Sequence, residues 1–353
     1  MSNLNFGSII GLIIFGTVLI CIEKSTFQTT SKGVDEKNHL FEKPWFQSDL
    51  MFLGLFSLMI FYLTFQRFQK KRGYDGYLNI EKPKPKIYWI ILKISFPAIC
   101  DIIVAVLLNL ALLWIPASSW QMLRSSVVIF TSITSLIFLK KKFFFHNLIG
   151  ILFVMVGLLF VIISIFHSKR YSSDYDERIA IYFIFIAEAI SAIQSLYEYH
   201  VYHGIKINGI FLTGIQGGIS FIICSFIMMP ILSHDSGNIE GHGTYENTKD
   251  TFKMIHNNTK MIALILIFIF SVIFFNLFSF LMTINFSVRI RTLSEIIRMA
   301  LVWIINIIIY YGFSYSYGEK WNSSSWFQLI GFIILSIGLL IYQGAFTKYW
   351  FWN

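Results

Sequence analysis

Ten uninterrupted apolar runs, each long enough to cross a lipid bilayer as a helix, limit what this chain can fold into. Crossing a hydrocarbon core of roughly 30 Å takes about 20 helical residues. The approximate cores of the runs are residues 8–22, 50–65, 88–114, 120–139, 148–166, 179–199, 210–232, 261–284, 296–311 and 326–346. Hydrophobic residues make up 56% of the chain and charged residues 13%, which is more apolar surface than a water-soluble domain could bury. The sequence therefore predicts an all-α polytopic membrane protein with ten transmembrane helices.

The start of the chain is interpreted as a membrane helix, and its two longest polar segments are interpreted as loops. The first run has no basic leader, and residues 21–24 do not resemble a cleavage site, so we expect a retained helix rather than a signal peptide. Residues 23–48 and 233–260 are predicted to be non-helical. The second loop contains His234, His242 and His256. We favour a solvated loop over a metal-sensing one, because the spacing of the histidines matches no common ligand pattern.

The net charge of +9 is interpreted as a topology signal rather than as a nucleic-acid site. One dense basic cluster occupies residues 67–72, and Lys140, Lys141 and Lys142 form another in a loop on the same side. Cytosolic loops of membrane proteins are enriched in Lys and Arg, so we place these loops and both chain termini in the cytosol. We expect the basic loops to contact anionic lipid, and we expect no nucleic-acid partner.

The two halves of the chain share a pattern of charge and glycine. In each half an arginine near one end of a run is followed, one run later, by two glycines at the same spacing: Arg124, Gly150 and Gly157 in the first half, and Arg298, Gly331 and Gly338 in the second. Five runs per half is an odd number, so the second half must be inverted relative to the first. We therefore predict a first five-helix repeat over residues 1–170 and a second, inverted repeat over 171–353, an arrangement common in transporters.

Eight polar side chains within the runs are candidate substrate contacts, because an ionisable group in a bilayer needs a partner or a water-filled cavity. They are Asp101, Asn109, Gln121 and Arg124 in the first half and Glu188, Gln194, Glu295 and Arg298 in the second. We expect each set of four to line one half of a central cavity. The arginines would receive the anionic charge of a substrate. The carboxylates would pair with the arginines in the empty site or take up a coupling proton.

Two of these residues keep a structural alternative at this stage. Asp101 follows Pro97, which is expected to kink its helix, and it forms either a substrate or proton site or an ion pair with Arg124 or Lys93. The alternative for Arg124 is an interfacial side chain that extends to the membrane surface. Glu295 lies three residues before Arg298, so these two side chains are expected to pair.

The glycines and cysteines are assigned to packing. Gly150, Gly157, Gly331 and Gly338 favour close helix contact, either as a scaffold within the chain or as a homodimer contact through the fifth and tenth helices. The three cysteines lie in apolar runs and form no CxxC pair, so we interpret them as inert. The sequence has no Walker loop, no His–Glu zinc motif and no nucleophile elbow. We therefore expect neither an enzyme nor a metal or other cofactor.

Several blocks of sequence resemble the drug/metabolite transporter superfamily, and within it the F subfamily of solute carrier family 35, particularly its sixth-member branch. The strongest blocks are FPAICD at 96–101, ASSWQMLR at 117–124 and VIFT at 128–131, with support from residues 51–54, 192–194 and 329–332. The resemblance covers nearly the whole chain. It implies ten helices in two inverted repeats, alternating access to a central cavity, and a fifth and tenth helix that lie outside that cavity.

The residues and the resemblance together predict a secondary transporter for a small organic, anionic solute, working as an exchanger in an endomembrane (lysosome or vacuole, Golgi or endoplasmic reticulum). A nucleotide-sugar/nucleoside-monophosphate antiporter is the alternative within this class. A non-transporting membrane partner or scaffold is the alternative from another class. It is motivated by Leu55, which stands where the resemblance leads us to expect an acidic residue.

Overall fold

The computed structural model describes residues 2–34, 36–71, 87–140, 143–168, 174–203, 209–234, 246–313 and 315–345. Its helices are α1 (Ser2–Phe27), α2 (Pro44–Lys71), α3 (Ile87–Trp114), α4 (Ala117–Leu123), α5 (Val127–Leu139), α6 (Phe145–Ser168), α7 (Asp174–His203), α8 (Gly209–Ile223), α9 (Met229–Leu232), α10 (Thr248–His256), α11 (Thr259–Asn285), α12 (Val288–Gly312) and α13 (Ser324–Tyr342). Ten spans in this part of the chain are long and apolar enough to cross a membrane. The prediction of an all-α polytopic membrane protein is confirmed. Phe346, the last residue of the tenth predicted run, lies outside the described residues.

Two of the ten spans are interrupted helices. The fourth span consists of α4, a 3₁₀ turn at Arg124–Ser126, and α5. The seventh consists of α8, a π turn at Cys224–Met228, and α9. Pro230 accounts for the second interruption, because proline has no N–H to donate to the preceding turn and its ring crowds the carbonyl four residues earlier.

The spans pack against each other in five pairs. Span 1 packs with span 8 (α1 with α11), 2 with 7 (α2 with α8), 3 with 6 (α3 with α7), 4 with 9 (α4 with α12) and 5 with 10 (α6 with α13). Further contacts join spans 1 and 9, 4 and 6, 2 and 8, 3 and 7, 2 and 3, and 7 and 8. Each half of the chain therefore contributes one helix to every pair, and the two halves form one interlocked bundle.

Spans 5 and 10 meet through their glycines. A Cβ atom added at Gly157 would lie 2.7 Å from the backbone nitrogen of Leu335 and 2.9 Å from the carbonyl oxygen of Gly331. A Cβ at Gly338 would lie 2.7 Å from the backbone nitrogen of Val154. Only glycine allows two helix backbones to approach this closely. The glycines thus form a scaffold within the chain. A homodimer through these helices stays a prediction, and it would have to use their other faces.

The two faces of the bundle differ. We call the face at which α1 begins and α13 ends the terminal face. The opposite face, here the capped face, carries a hairpin of two antiparallel strands, β1 (Thr30–Lys32) and β2 (Asn38–Leu40), together with α10. The Ser31 hydroxyl donates to the Met254 carbonyl (2.6 Å), and the Val34 N–H donates to Asp250 Oδ1 (2.8 Å). These bonds tie the hairpin to α10.

Helix α10 corrects the prediction of a non-helical loop over residues 233–260. Asn247 caps it by accepting a hydrogen bond from the Asp250 N–H (3.2 Å). The helix has only nine residues, too few to stand out from a polar loop by apolar periodicity, and it is stabilised by packing on α11 and on the hairpin. Of the loop histidines, His242 lies outside the described residues.

Charged side chains are buried beneath this cap. Lys43 Nζ and His39 Nε2 each lie 3.3 Å from Asp250 Oδ2, and the Thr251 hydroxyl donates to Glu246 (2.8 Å). Burial raises the pKa of the Glu246 carboxyl to about 7, and the charge of Lys43 and the bond from Thr251 offset only part of this rise. Burial would also raise the pKa of Asp250, but the bond from the Val34 N–H and the charge of Lys43 outweigh it and lower that pKa.

The raised pKa of Glu246 predicts that the cap is most stable in acid. The folded cap holds this proton more tightly than an unfolded segment, so the stabilisation is complete below the ordinary pKa of 4.5 and is lost as the pH rises through about 7. Asp250 acts in the opposite sense, but only below its ordinary pKa of 3.8. Hydrogen-exchange protection of α10, corrected for intrinsic rates, should fall at least about tenfold between about pH 5 and pH 8. Glu246→Gln should make it insensitive to pH; an equal fall in that variant would contradict the assignment.

Candidate functional site

A polar cavity of about 440 Å³ lies between spans 4, 6, 9 and 10. Its walls come from α4 and α5, from α7, from α12 and from one residue of α13. Five of the eight residues predicted from the sequence line it: Gln121, Arg124, Glu188, Glu295 and Arg298. Its volume falls in the range that proteins use for small-molecule ligands, roughly 300–1,000 Å³.

Arg124 lies at the break in span 4, where α4 gives way to the 3₁₀ turn. Its Nε donates to Glu188 Oε1 on α7 (3.0 Å), and its guanidinium carbon lies 4.8 Å from the centre of the Trp120 ring. The Glu188 side chain is only 4% exposed, whereas that of Arg124 is 36% exposed. The Trp120 ring and the Glu188 carboxylate thus hold the guanidinium in place. Its two terminal amino groups have no hydrogen-bond partner among the described residues. They are available to an anion in the cavity.

Arg298 has a similar environment in the other half of the chain. Its Nη2 donates to Glu295 one turn earlier on α12, which confirms the expected pairing. The guanidinium carbon lies 5.1 Å from the centre of the Phe275 ring. A Cβ atom at Gly16 on α1 would lie 2.7 Å from Arg298 Cδ, so glycine at that position makes room for the arginine stem. Carboxylate, ring and arginine thus recur in both halves.

Two buried polar atoms at this site have no partner among the described residues. Gln121 is 4% exposed and Arg298 is 7% exposed, yet Gln121 Oε1 and Arg298 Nε make no hydrogen bond within the protein. Leaving such atoms unsatisfied costs about 1–3 kcal/mol each. Native structures rarely carry that cost unless water or a ligand supplies the missing bond. This acceptor and this donor are thus free to bond water or a polar ligand in the cavity.

The other three predicted residues lie away from this cavity. Asp101 accepts hydrogen bonds from Gln194 Nε2 (2.7 Å) and Gln216 Nε2 (2.5 Å), and both amides also donate to Glu198. The structure thus pairs Asp101 with amides of spans 6 and 7 and not with Arg124 or Lys93. Asn109 donates to the Ser48 hydroxyl of α2 (2.9 Å), nearer the capped face.

One charged residue of the cavity, Arg291, is not among the eight candidates taken from the sequence. Arg291 lies near the start of α12 at the terminal face, and it lines the cavity with Thr292. It stands seven positions, about two helical turns, before Arg298, so helical spacing alone could have placed both on one face. Because Arg291 is exposed, the cavity opens towards the terminal face.

Towards the capped face, the turn between α3 and α4 is held by a buried cation from span 1. Lys24 Nζ donates to the carbonyls of Leu112 (2.6 Å), Leu113 (3.2 Å) and Ile115 (3.0 Å) at the end of α3. A lysine at a helix C-terminus matches the sign of the helix dipole.

An acid from the connection before span 10 holds the other side of that turn. Glu319 accepts from the Ser118 N–H (3.0 Å) and the Ser118 hydroxyl at the start of α4, where a carboxylate suits the helix dipole. Gly318, at φ +76°, turns the backbone so that the Glu319 N–H bonds the Asn306 carbonyl (2.9 Å). The passage towards the capped face is therefore closed by contacts from both halves of the chain.

Comparison with known proteins finds relatives along most of the chain. Human solute carrier family 35 member F6 is 28% identical over 313 residues, which cover 87% of this chain and 80% of the human protein. The mouse protein of the same name matches to the same extent. An uncharacterised protein of Schizosaccharomyces pombe is 25% identical over 300 residues, 84% of this chain and 86% of the yeast protein. These matches support membership of solute carrier family 35, F subfamily.

The ten spans make the chain a multi-pass membrane protein, and its relatives point to a solute transporter. No family model matches the sequence. A solved crystal structure aligns with a TM-score of 0.50 at 12% identity, covering 94% of this chain and 97% of the other. That likeness concerns the fold alone.

Proposed function

We propose that this solute carrier moves a small organic anion by alternating access, as a secondary transporter working by exchange. The observation that carries the proposal is the polar cavity, in which Arg124 and Arg298 face a common space. The unpartnered Gln121 Oε1 and Arg298 Nε support it, because they add a buried acceptor and donor with no bond of their own. Planar guanidinium groups recognise carboxylate and phosphate well.

We also propose that residues 1–170 and 171–353 are inverted repeats, in which span 1 corresponds to span 6, span 2 to span 7, and so on. A two-fold axis relating them would map the contact of spans 1 and 8 onto that of 6 and 3, and the contact of spans 1 and 9 onto that of 6 and 4. Both members of each set are present. The pairs 2 with 7, 4 with 9 and 5 with 10 would map onto themselves. This pattern of contacts supports the repeat.

In this proposal the structure represents the state that is open to the terminal face. The basic loops of the sequence favour a cytosolic location for that face, and the membrane would be an endomembrane. Opening the other side would require the turn between α3 and α4 to leave Lys24 and Glu319. Asp101 and Gln194 would hold spans 3, 6 and 7 together rather than contact substrate.

Replacing Glu319 by alanine should loosen the closed side of the cavity. The change removes two hydrogen bonds and a favourable charge at the start of α4. A cysteine introduced at the buried Ser119 should then react with a polar thiol reagent from the capped face at least about tenfold faster. Lys320→Ala, an exposed neighbour, is the matched control. Equal labelling in both variants would argue against this gate.

The proposed function is tested by counterflow exchange in proteoliposomes. The panel holds organic anions, nucleoside monophosphates, nucleotide sugars, amino acids and cationic drugs. Saturable exchange of an anion should be lost in Arg298→Gln and kept in Arg289→Gln, a residue of the same helix that is exposed and bonds the Gln343 carbonyl (3.1 Å) outside the cavity. Exchange of cations alone, or equal exchange by both variants, would overturn the proposal.

The same panel separates the remaining alternatives. Exchange of nucleotide sugars would favour an antiporter of that class, and no exchange by a folded protein would favour a scaffold. Leu55, which motivated the scaffold hypothesis, is buried against α8, where a Cβ at Gly217 would lie 2.5 Å from Leu55 Cβ. The residue at that position therefore has little bearing on the charge of the cavity.

A further inference from the structure

We propose that the cavity is matched to a solute with one negative charge, and that Glu188 and Glu295 act as the residues that reject solutes with two. This inference rests on the proposed function, since it assumes that the solute binds in the cavity between spans 4, 6, 9 and 10. It follows from the balance of charge on the walls and from the way in which those charges are paired.

Five charged side chains line the cavity: Arg124, Arg291, Arg298, Glu188 and Glu295. Arginine stays protonated in proteins, so three positive charges are fixed. Two of them are already compensated within the walls, because Glu188 pairs with Arg124 and Glu295 pairs with Arg298. The walls therefore carry one positive charge in excess.

Arg291 supplies the uncompensated charge. Its Nη1 donates to the Thr283 hydroxyl (2.8 Å) and its Nη2 reaches the Ser279 hydroxyl (3.5 Å), both neutral groups on α11. No carboxylate of the described residues lies within ion-pair distance of it. Glu295 stands one turn further along α12 but is directed to Arg298. A solute entering from the terminal face would thus meet an unpaired arginine first.

The charge of the occupied cavity then depends on the solute. With a monoanion bound, the net charge of walls and solute is zero. With a dianion bound, one negative charge remains in excess beside two carboxylates. Charges in such a partly buried site interact more strongly than charges at the same separation in bulk water. A cavity that helices flank within a membrane and that is open on one side only screens an excess charge less than bulk water does. A neutral solute would leave Arg291 as unpaired as in the empty cavity.

This inference is tested by binding, with matched pairs of carboxylates as probes. The purified full chain is titrated with butyrate and succinate, and with benzoate and phthalate, at a pH at which both carboxyls are ionised. The apparent dissociation constants are read from the rise in unfolding temperature with concentration. The wild-type protein should bind each monoanion at least about tenfold more tightly than its dianion, which corresponds to about 1.4 kcal/mol.

Replacing a wall glutamate by glutamine should move this preference. Glu295→Gln or Glu188→Gln raises the charge of the walls by one, so the dianion of each pair should gain at least about tenfold relative to the monoanion. Glu198→Gln makes the same substitution on α7 outside the cavity and should leave the preference unchanged. Two glutamate variants are used, so that a folding defect in one leaves the other as a test.

The outcomes separate the two proposals. Tighter binding of dianions by the wild-type protein, or a preference that neither wall variant moves, would overturn the selectivity and leave an anion transporter standing. If no anion stabilises the wild-type protein and none is exchanged by proteoliposomes, the proposed function fails and the selectivity fails with it.

Discussion

Replacing Arg124 by alanine should abolish exchange, with a loss of at least about a hundredfold in the initial rate of counterflow. The substitution removes one of two guanidinium groups offered to the anion and leaves the Glu188 carboxylate, 4% exposed, without its cation. Breaking a fully buried ion pair from one side typically costs about 3–5 kcal/mol; Arg124 is partly exposed, so stability should fall by less than this. Measurements of initial exchange rate and of thermal unfolding, on the same preparation, record both effects.

Two further variants distinguish a lost binding group from a damaged fold. Arg124→Ala combined with Glu188→Gln removes the orphaned charge, and it should regain most of the lost stability while exchange stays absent. Arg124→Lys keeps the charge but loses the planar donor geometry, so it should retain only part of the exchange. Full exchange by Arg124→Ala, or recovery of exchange in the double variant, would contradict the proposal that Arg124 binds the substrate.

Introducing a leucine at Gly157 should be among the most destabilising substitutions in the membrane region. The new side chain would begin 2.7 Å from the backbone nitrogen of Leu335 and 2.9 Å from the carbonyl oxygen of Gly331, and neither backbone atom can rotate away. Helices α6 and α13 would have to separate. Overpacking of well-packed cores costs about 1–3 kcal/mol and more where backbones must move. The midpoint of thermal unfolding in detergent should fall clearly, with lower yield of monodisperse protein.

Gly7→Leu is the matched control for this substitution. Gly7 is also a helical glycine, in α1, but a Cβ atom there would meet nothing within 4 Å. Both changes raise helix propensity by a similar amount. A difference between the two variants therefore measures packing alone, and equal unfolding temperatures would contradict the close contact of α6 with α13.

The tertiary structure changed the interpretation of Asp101 more than that of any other candidate. From the sequence, a carboxylate in the middle of a span after Pro97 suggested a substrate site or an ion pair. Helix α3 packs on α7 and α8, so Asp101 meets Gln194 and Gln216 instead. Helical spacing places a residue on a face, but it does not say which neighbouring helix covers that face. Asn109 illustrates the same limit, since it meets Ser48 of α2.

Arg124 and Arg298 both line the cavity, and the sequence singled them out by a repeated pattern. Each arginine belongs to a repeated arrangement of charge and glycine. Each also forms an ion pair in the folded protein, Arg124 with Glu188 and Arg298 with Glu295. Glu295 could be assigned from spacing alone, since it lies on the same helix as Arg298. Glu188 is separated from Arg124 by the whole of span 5, so only the packing of α7 against span 4 joins them. Phe275 and Gly16 gave no signal, because an aromatic ring and a glycine are common in any apolar helix.

The sequence by itself determined the class of protein and the number of spans, and it singled out two arginines that line the cavity. Inside lipid every backbone N–H and C=O must be bonded within its own helix, so a long apolar run has one solution, and an arginine within it is costly enough to stand out. Only the tertiary structure decided which helices pair and which polar residues share the cavity. Lipid tails are as apolar as the helix surfaces, so hydrophobicity does not select a neighbour; the fit of small residues such as Gly157 and the bonding of buried polar groups do.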